Sequence, residues 1–193
     1  MEPIEETTIG ESRCVIDASR GAIGVSRLAV VGCSGSGKSW LSKRLSASTG
    51  IPLIHLDCEY WQPNWVKTPR DEWRKKQAKM ISGEKWIIDG NYDSTLEIRF
   101  TAADMVIFLD LSRISCVISV LKRHGKKRSD LPEYLEEKFD SEFFDFFKWM
   151  WDFPRTGKKT ILSLHEKYPN IPFVVIKSRR GVRKFLSSYP CSK

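Results

Sequence analysis

Long apolar runs are missing from this sequence. No uninterrupted stretch approaches the ~20 residues that a membrane-crossing helix needs, so no membrane partner is expected. Paired cysteines are missing too. The five cysteines, Cys14, Cys33, Cys58, Cys116 and Cys191, are scattered, odd in number and never spaced as CxxC. That pattern excludes a disulfide scaffold and a zinc knuckle, and reads as reduced thiols in a cytoplasmic protein. Histidine is scarce, and His55, His124 and His165 show no metal-ligand spacing. His55 lies within an apolar run and reads as a hydrogen-bonded core residue. Internal repeats and low-complexity linkers are absent. The first residues, Met1-Glu2-Pro3-Ile4-Glu5-Glu6, are acidic and lack an apolar segment, so neither a secretory nor a transit peptide is expected.

What is present suits one folded unit. A chain of 193 residues with 41% hydrophobic and 29% charged residues has the balance of a globular domain. At this length about 70% of the unfolded chain's surface is buried on folding, enough for a core without staples. Lysine and arginine number 32 against 24 acids, a formal charge of +8. Such a surface attracts polyanions, and nucleotides, phosphorylated metabolites, nucleic acid and anionic lipid all qualify.

Residues 1–26 carry no strong pattern and read as an appended arm, leaving 27–193 as the domain. Leu28-Ala29-Val30-Val31 is a short apolar run ending at Gly32, a buried strand. A Gly/Ser loop follows, then a helix from Lys38 to Ala47 with Leu41 and Leu45 four apart. The second strand is expected over Ile51–Asp57, with Pro52 at its start. Thr68-Pro69-Arg70-Asp71-Glu72 is a helix start: Thr68 caps, Pro69 takes the first turn and the acids meet the positive dipole end. Trp86–Gly90, Met105–Asp110 and Ile171–Ile176 are the third to fifth strands. Short strands, apolar on both faces and separated by helical stretches, specify a parallel α/β sheet covered on both sides.

The segment Gly32-Cys33-Ser34-Gly35-Ser36-Gly37-Lys38-Ser39 matches G-x-x-x-x-G-K-[ST] in full, with a strand before it and a helix after it. The glycines let the loop curl so that successive N–H groups converge on phosphate oxygens. The helix start adds its positive dipole end. Gly32, Ser34, Gly35, Ser36, Gly37, Lys38, Ser39 and Trp40 are therefore candidate ATP-binding residues. Lys38 is expected on the β- and γ-phosphates and the Ser39 hydroxyl on Mg²⁺. The motif specifies a nucleoside triphosphate and says nothing of the acceptor.

A carboxylate must complete a magnesium site, and one or two suffice. Three apolar runs end in one: Asp57, Asp89 and Asp110. Asp89 is placed first, because Ile87-Ile88-Asp89-Gly90 resembles a Walker B strand end. Asp57 is placed second, as a metal-shell residue or as the base that takes a proton from an acceptor hydroxyl. Asp110 is third, with helix capping as its alternative. The tract Leu121-Lys122-Arg123-His124-Gly125-Lys126-Lys127-Arg128 reads as a cationic lid, with Arg123 and Arg128 over the transferring group, or as a solvated basic helix face or a nucleic-acid patch. Arg99 and Arg113 flank the fourth strand and are candidates to clamp an anionic acceptor group. Tyr60, Trp61 and Trp65 sit just after Asp57 and are candidates to line the acceptor pocket. Phe139, Phe143, Phe146 and Met150, with Phe144, Phe147 and Trp151 beside them, form a broad apolar helix face that reads as packing.

Taken together, GCSGSGKS, Ile54-His55-Leu56-Asp57 with Tyr60-Trp61 and Pro63-x-Trp65, Thr68-Pro69-Arg70-x-x-Trp73, Trp86-Ile87-Ile88-Asp89-Gly90-Asn91-Tyr92 and Val106-Ile107-Phe108-Leu109-Asp110-Leu111-x-Arg113 resemble the adenylate-kinase-like P-loop proteins named topology modulation or FlaR-related proteins. The resemblance spans about residues 27–187. It implies a P-loop NTPase fold of the nucleoside-monophosphate-kinase type: a five-stranded parallel sheet of order 2-3-1-4-5, flanked by helices, with a helical lid at about 114–158. That order sets the third strand beside the P-loop strand and favours Asp89 for magnesium. It also implies that Arg179, in the Ser178-Arg179-Arg180 loop, holds the adenine. Adenylate kinases follow their third strand with Asp-Gly-Phe-Pro-Arg. Here the stretch is Asp89-Gly90-Asn91-Tyr92-Asp93, which lacks the phosphate-gripping arginine and counts against AMP as acceptor. Asn91 remains a candidate acceptor contact.

The leading expectation is an ATP- and Mg²⁺-dependent kinase acting on a small-molecule or nucleotide acceptor. The alternative is a nucleotide-dependent nucleic-acid-binding or DNA-topology-related protein. No groove-reading motif supports that alternative.

Overall fold

The computed structural model describes residues 25–124, 135 and 141–188. Seven strands and eight helices are described: β1 (Arg27–Gly32), α1 (Lys38–Thr49), β2 (Leu53–His55), α2 (Leu56–Tyr60), β3 (Trp61–Gln62), β4 (Val66–Lys67), α3 (Arg70–Ile81), β5 (Trp86–Asp89), α4 (Asp93–Ala102), β6 (Met105–Leu109), α5 (Arg113–Arg123), α6 (Ser141–Asp152), α7 (Gly157–Lys167), β7 (Phe173–Ile176) and α8 (Arg179–Ser188). Among the described residues, no helix is long and apolar enough to cross a membrane.

The main sheet has five strands in the order β2-β5-β1-β6-β7, and every pairing in it is parallel. Counting only these strands along the chain, the order is 2-3-1-4-5, as the family resemblance implies. Helices cover both faces, so β1, β5, β6 and β7 each bury side chains of both parities, while the edge strand β2 is half-buried. Leu28, Val30, Val31, Val106, Ile107, Phe108 and Leu109 are all fully enclosed. Burying one such side chain contributes about 1.5–3 kcal/mol, which is why these runs read as unbroken apolar segments and not as alternating ones.

The parallel arrangement fixes where chemistry can occur. The register pairs Val30 with Asp89 and Gly32 with Leu109. The carboxyl end of β5 therefore lies beside the start of the loop after β1, on the edge where ligands bind in open α/β sheets.

Three local expectations are corrected. The second strand is shorter than Ile51–Asp57: its pairing with β5 runs only from Leu53 to His55, opposite Asp89, where β5 itself ends. With no partner left, the chain turns into α2, and Asp57 sits in that helix's first turn. The aromatic segment after it is no open loop, since Trp61–Gln62 pairs antiparallel with Val66–Lys67 around a 3₁₀ turn at Pro63–Trp65. Thr68 does not cap α3. The N-cap is Pro69, and the Thr68 hydroxyl donates to the Tyr60 carbonyl, tying the hairpin to the helix start.

Candidate functional site

The loop between β1 and α1 takes a conformation that glycine makes cheap. Gly35 and Gly37 have φ of 76° and 97°, in the left-handed region. At Gly35 there is also no room for a side chain: a Cβ there would lie 2.2 Å from the Cys116 carbonyl oxygen on α5. The loop thus presses its backbone onto α5. Helix α1 then begins with no side-chain cap and no acid in its first turn. Its first backbone hydrogen bond is from Leu41 N–H to Gly37 O, at 3.0 Å. The N–H groups of Lys38, Ser39 and Trp40 precede that bond and have no intrahelical acceptor. Such an end suits an anion. Lys38 bends back over its own loop, its Nζ donating to Cys33 O at 3.0 Å. A phosphate oxygen would replace that carbonyl with a charged acceptor.

These residues line a cavity of about 650 Å³, within the usual range for small-molecule sites. From the loop and α1 come Ser34, Gly35, Ser36, Gly37, Lys38, Ser39, Trp40 and Lys43. Asp57 comes from the first turn of α2, Asp89 and Gly90 from the end of β5, Ser119 and Arg123 from α5, and Arg179, Val182 and Arg183 from α8. The Arg123 guanidinium reaches back to the loop, donating to Ser34 Oγ at 2.9 Å. Arg179 donates to Ser119 Oγ, linking α8 to α5.

The two acids in the cavity differ in their surroundings. Asp89 is 4% exposed; its Oδ1 lies 2.8 Å from His55 Nδ1, and its Oδ2 is buried without a partner. A carboxylate oxygen stripped of water and unpaired costs about 1–3 kcal/mol or more, and a cation beside it removes that cost. Among the described residues, no group of three or more His, Cys, Asp or Glu side chains could hold a metal by itself. Ser39 and Asp89 thus fit Mg²⁺, which retains several waters and takes one or two protein oxygens beside a nucleotide's phosphates. Asp57 is partly exposed, and Tyr92 OH donates to its Oδ1 at 2.7 Å. Tyr92 is held in the left-handed region (φ 49°), which is costly for a residue with a side chain. Its ring packs against Tyr60 and Trp73, with centroids 4.5 and 5.1 Å apart. Burial first, and the Asp57 carboxylate next, push the Tyr92 hydroxyl pKa up, so the phenol stays a donor.

Several expected site residues lie elsewhere. Arg99 is 0% exposed and faces inward. Its Nη1 donates to Gln77 Oε1 at 2.7 Å and to Thr95 Oγ1 at 3.0 Å, and its Nη2 donates to the carbonyls of Gly90 and Asn91. Burial draws its pKa down to about 9, still a cation at neutral pH. It holds the turn after β5 from within and presents no face to an acceptor, contrary to expectation. Asn91 is also turned inward: its Oδ1 accepts from Gly32 N–H at 2.9 Å and its Nδ2 donates to Gly32 O at 2.8 Å. Gly32, at the end of β1, is thus gripped on both polar groups. Tyr60, Trp61 and Trp65 are outside the cavity lining and pack edge-on along the hairpin, Tyr60 on Trp61 and Trp61 on Trp65. Arg113 stacks over Trp151, 4.7 Å from its ring. Asp110 pairs with Lys158 at 2.6 Å, while Ser112 caps α5. Arg128, Lys126, Lys127 and Phe139 lie outside the described residues, as does nearly all of the arm 1–26.

Lys43, Ser119, Arg183 and Tyr92 were not anticipated. Two had a sequence signal: Ser119 with Arg123, and Arg179 with Arg183, are spaced i, i+4 and share a helix face.

No family model and no curated protein matches this sequence. Solved structures do. A shikimate kinase from Acinetobacter baumannii in complex with shikimate aligns at 12% identity and a TM-score of 0.56, over 84% of this chain and 89% of that one. A gluconokinase from Sinorhizobium meliloti aligns at 15% identity and a TM-score of 0.50, over 85% and 89%. A deoxyadenosine kinase from M. mycoides with bound dCTP aligns at 16% identity and a TM-score of 0.42, over 83% and 97%. At such identities the likeness is one of fold, and the fold is an α/β P-loop architecture with a five-stranded parallel sheet.

Proposed function

We propose that this chain is an ATP-dependent kinase that transfers the γ-phosphoryl group of Mg-ATP to a small-molecule or nucleotide acceptor. One observation carries the reading. The uncapped start of α1, Lys38, Ser39 and the buried, half-unpaired Asp89 line the same cavity as arginines from α5 and α8. The two aligned kinases with TM-scores of 0.50 and above, named for shikimate and gluconate, share the fold, and small hydroxylated acceptors fit the same class. Within that class, the quoted motifs favour the adenylate-kinase-like topology modulation or FlaR-related proteins, and a cytoplasmic location.

In this reading the loop amides and the α1 N-terminus bind the phosphates, and Arg179 with Ser119 flanks the base. Ser39 and Asp89 would hold Mg²⁺, which when bound neutralises charge on the β- and γ-phosphate oxygens. Lys38 and Arg123, joined by Arg128, stabilise negative charge on the transferring group. Asp57 orients the acceptor hydroxyl and takes its proton, with Tyr92 fixing the carboxylate's rotation. The basic balance of the chain is here a means of holding a nucleotide, because Arg123 reaches the phosphate loop and Arg179 and Arg183 line the same cavity.

Acceptor-dependent ADP release tests this. Lys38→Ala is expected to lower turnover on the order of 10² or more while leaving the unfolding midpoint in place. Undiminished turnover in that variant would overturn the proposal.

A further inference from the structure

Two chain segments meet beside the cavity's carboxylates, and each holds the other's acid. The first is His55-Leu56-Asp57, where β2 passes into α2; the second runs from Asp89, at the end of β5, to Tyr92. His55 Nδ1 lies 2.8 Å from Asp89 Oδ1, and Tyr92 OH donates to Asp57 Oδ1 at 2.7 Å. Backbone fixes this crossing. His55 and Asp89 are register partners in the parallel pairing of β2 with β5. Leu56 is fully buried, and Gly90 packs so closely on it that a Cβ there would lie 2.9 Å from the Leu56 Cβ. Asp57 and Asp89 line the cavity, whereas His55 does not. The imidazole, its side chain 12% exposed, therefore meets the cavity only through Asp89.

We propose that His55 is a positioning residue, whose Nδ1–H fixes the rotation of the Asp89 carboxylate so that Oδ2 is the oxygen offered to a metal ion. This rests on the Mg-nucleotide part of the kinase reading and deepens it. An ionised carboxylate only accepts, so the shared proton belongs to the ring nitrogen. Turning the carboxylate about its own axis breaks that bond, and the sheet register leaves His55 no freedom to follow. Oδ2 is then held buried and without a partner, ready for a cation and poor for anything else. Carboxylates that hold metals are commonly oriented by such a donor, and losing it weakens metal binding by about 10–100-fold. Tyr92 serves Asp57 in the same manner from the opposite segment, so two acids close together are turned separately to two tasks.

The test reads binding and not turnover. Calorimetry on the full chain gives the Kd of a non-hydrolysable ATP analogue with a chelator and with Mg²⁺, and the ratio of the two is the metal's contribution. His55→Asn places an amide N–H where Nδ1 stands, and His55→Gln places it one bond further out, near Nε2. The expected result is a ratio close to wild type in His55→Asn and about tenfold smaller in His55→Gln, with binding in chelator unchanged in both. In an Asp89→Asn background, His55→Gln should cost nothing further, because the imidazole acts through that carboxylate. Equal ratios in the two variants overturn the inference, whether both are kept or both are lost. So does a loss in His55→Gln that persists without Asp89, or one of equal size with and without Mg²⁺, since either marks a general disturbance of the site. A wild-type ratio of one removes the metal from the site and takes the inference with it. Failure of every acceptor to raise ADP release, with the ratios as expected, sinks the kinase reading and leaves this inference standing.

Discussion

Adding one methyl group to the phosphate loop tests its geometry at two places that differ in a single respect. Gly35 and Gly37 both sit in the left-handed region, so alanine at either incurs a similar backbone cost, about 1–2 kcal/mol. Their surroundings differ. At Gly37 a Cβ meets nothing within 4 Å, whereas at Gly35 it would lie 2.2 Å from the Cys116 carbonyl oxygen and 3.0 Å from a Val120 methyl. The obstacle at Gly35 is backbone, so loop or helix must move, and overpacking of that kind costs a further ~1–3 kcal/mol. Gly35→Ala should therefore be less stable than Gly37→Ala by at least about 1 kcal/mol, because the shared backbone cost cancels in the comparison. Urea denaturation with a common slope measures the difference directly. Equal stability of the two variants would refute the close approach of loop to α5, and with it the loop geometry on which the phosphate site is built.

Further expectations concern the acid side of the site and one surface pair. Asp89→Asn should raise the magnesium concentration needed for half-maximal turnover, measured by titrating Mg²⁺ at fixed ATP; an unchanged requirement would place the metal elsewhere. Tyr92→Phe removes a hydrogen bond to a carboxylate, worth about 1.5–3 kcal/mol, and should lower kcat with little change in the KM for ATP; a loss confined to that KM would contradict its role beside Asp57. Arg99→Met should destabilise the fold by several kcal/mol, on the order of 3–5, by orphaning the acceptors its guanidinium serves, and chemical denaturation reads this. The Lys167 ammonium first, and the Tyr168 hydroxyl next, hold the Glu97 pKa below its ordinary 4.5. Wild type should thus hold its stability advantage over Glu97→Gln in full above about pH 4.5 and lose it as acid titrates the carboxylate below that. An advantage that persists in strong acid would show that charge is not its source.

The sheet and the phosphate loop were legible because their signals are local. Apolar runs such as Val106–Leu109 are buried on both faces, and the glycine pattern of residues 32–39 states a backbone geometry outright. The acceptor side was less legible because its residues are defined by distant partners. Arginine is rarely fully buried, so Arg99 read as a clamp for a ligand; only the fold shows Gln77 and two carbonyls closing around it. Asn91 looked like a polar group beside a pocket, yet its partners lie at Gly32, far back in the chain. Asp57 read as a strand end, because sequence does not reveal that β2 loses its pairing partner where β5 stops. Tyr92 stood in a resembling segment without a role of its own, since nothing about a tyrosine announces a positive φ.

The two-point grip of Asn91 on Gly32 has a bearing on redesign. A carboxamide can give and take a hydrogen bond at once, and an ionised aspartate of the same shape can only take. Position 91 is therefore a poor place to vary acceptor choice, because any replacement there disturbs the nucleotide loop before it touches a new substrate. Libraries aimed at altered acceptor range belong on α2 around Asp57, where substitutions leave that link intact.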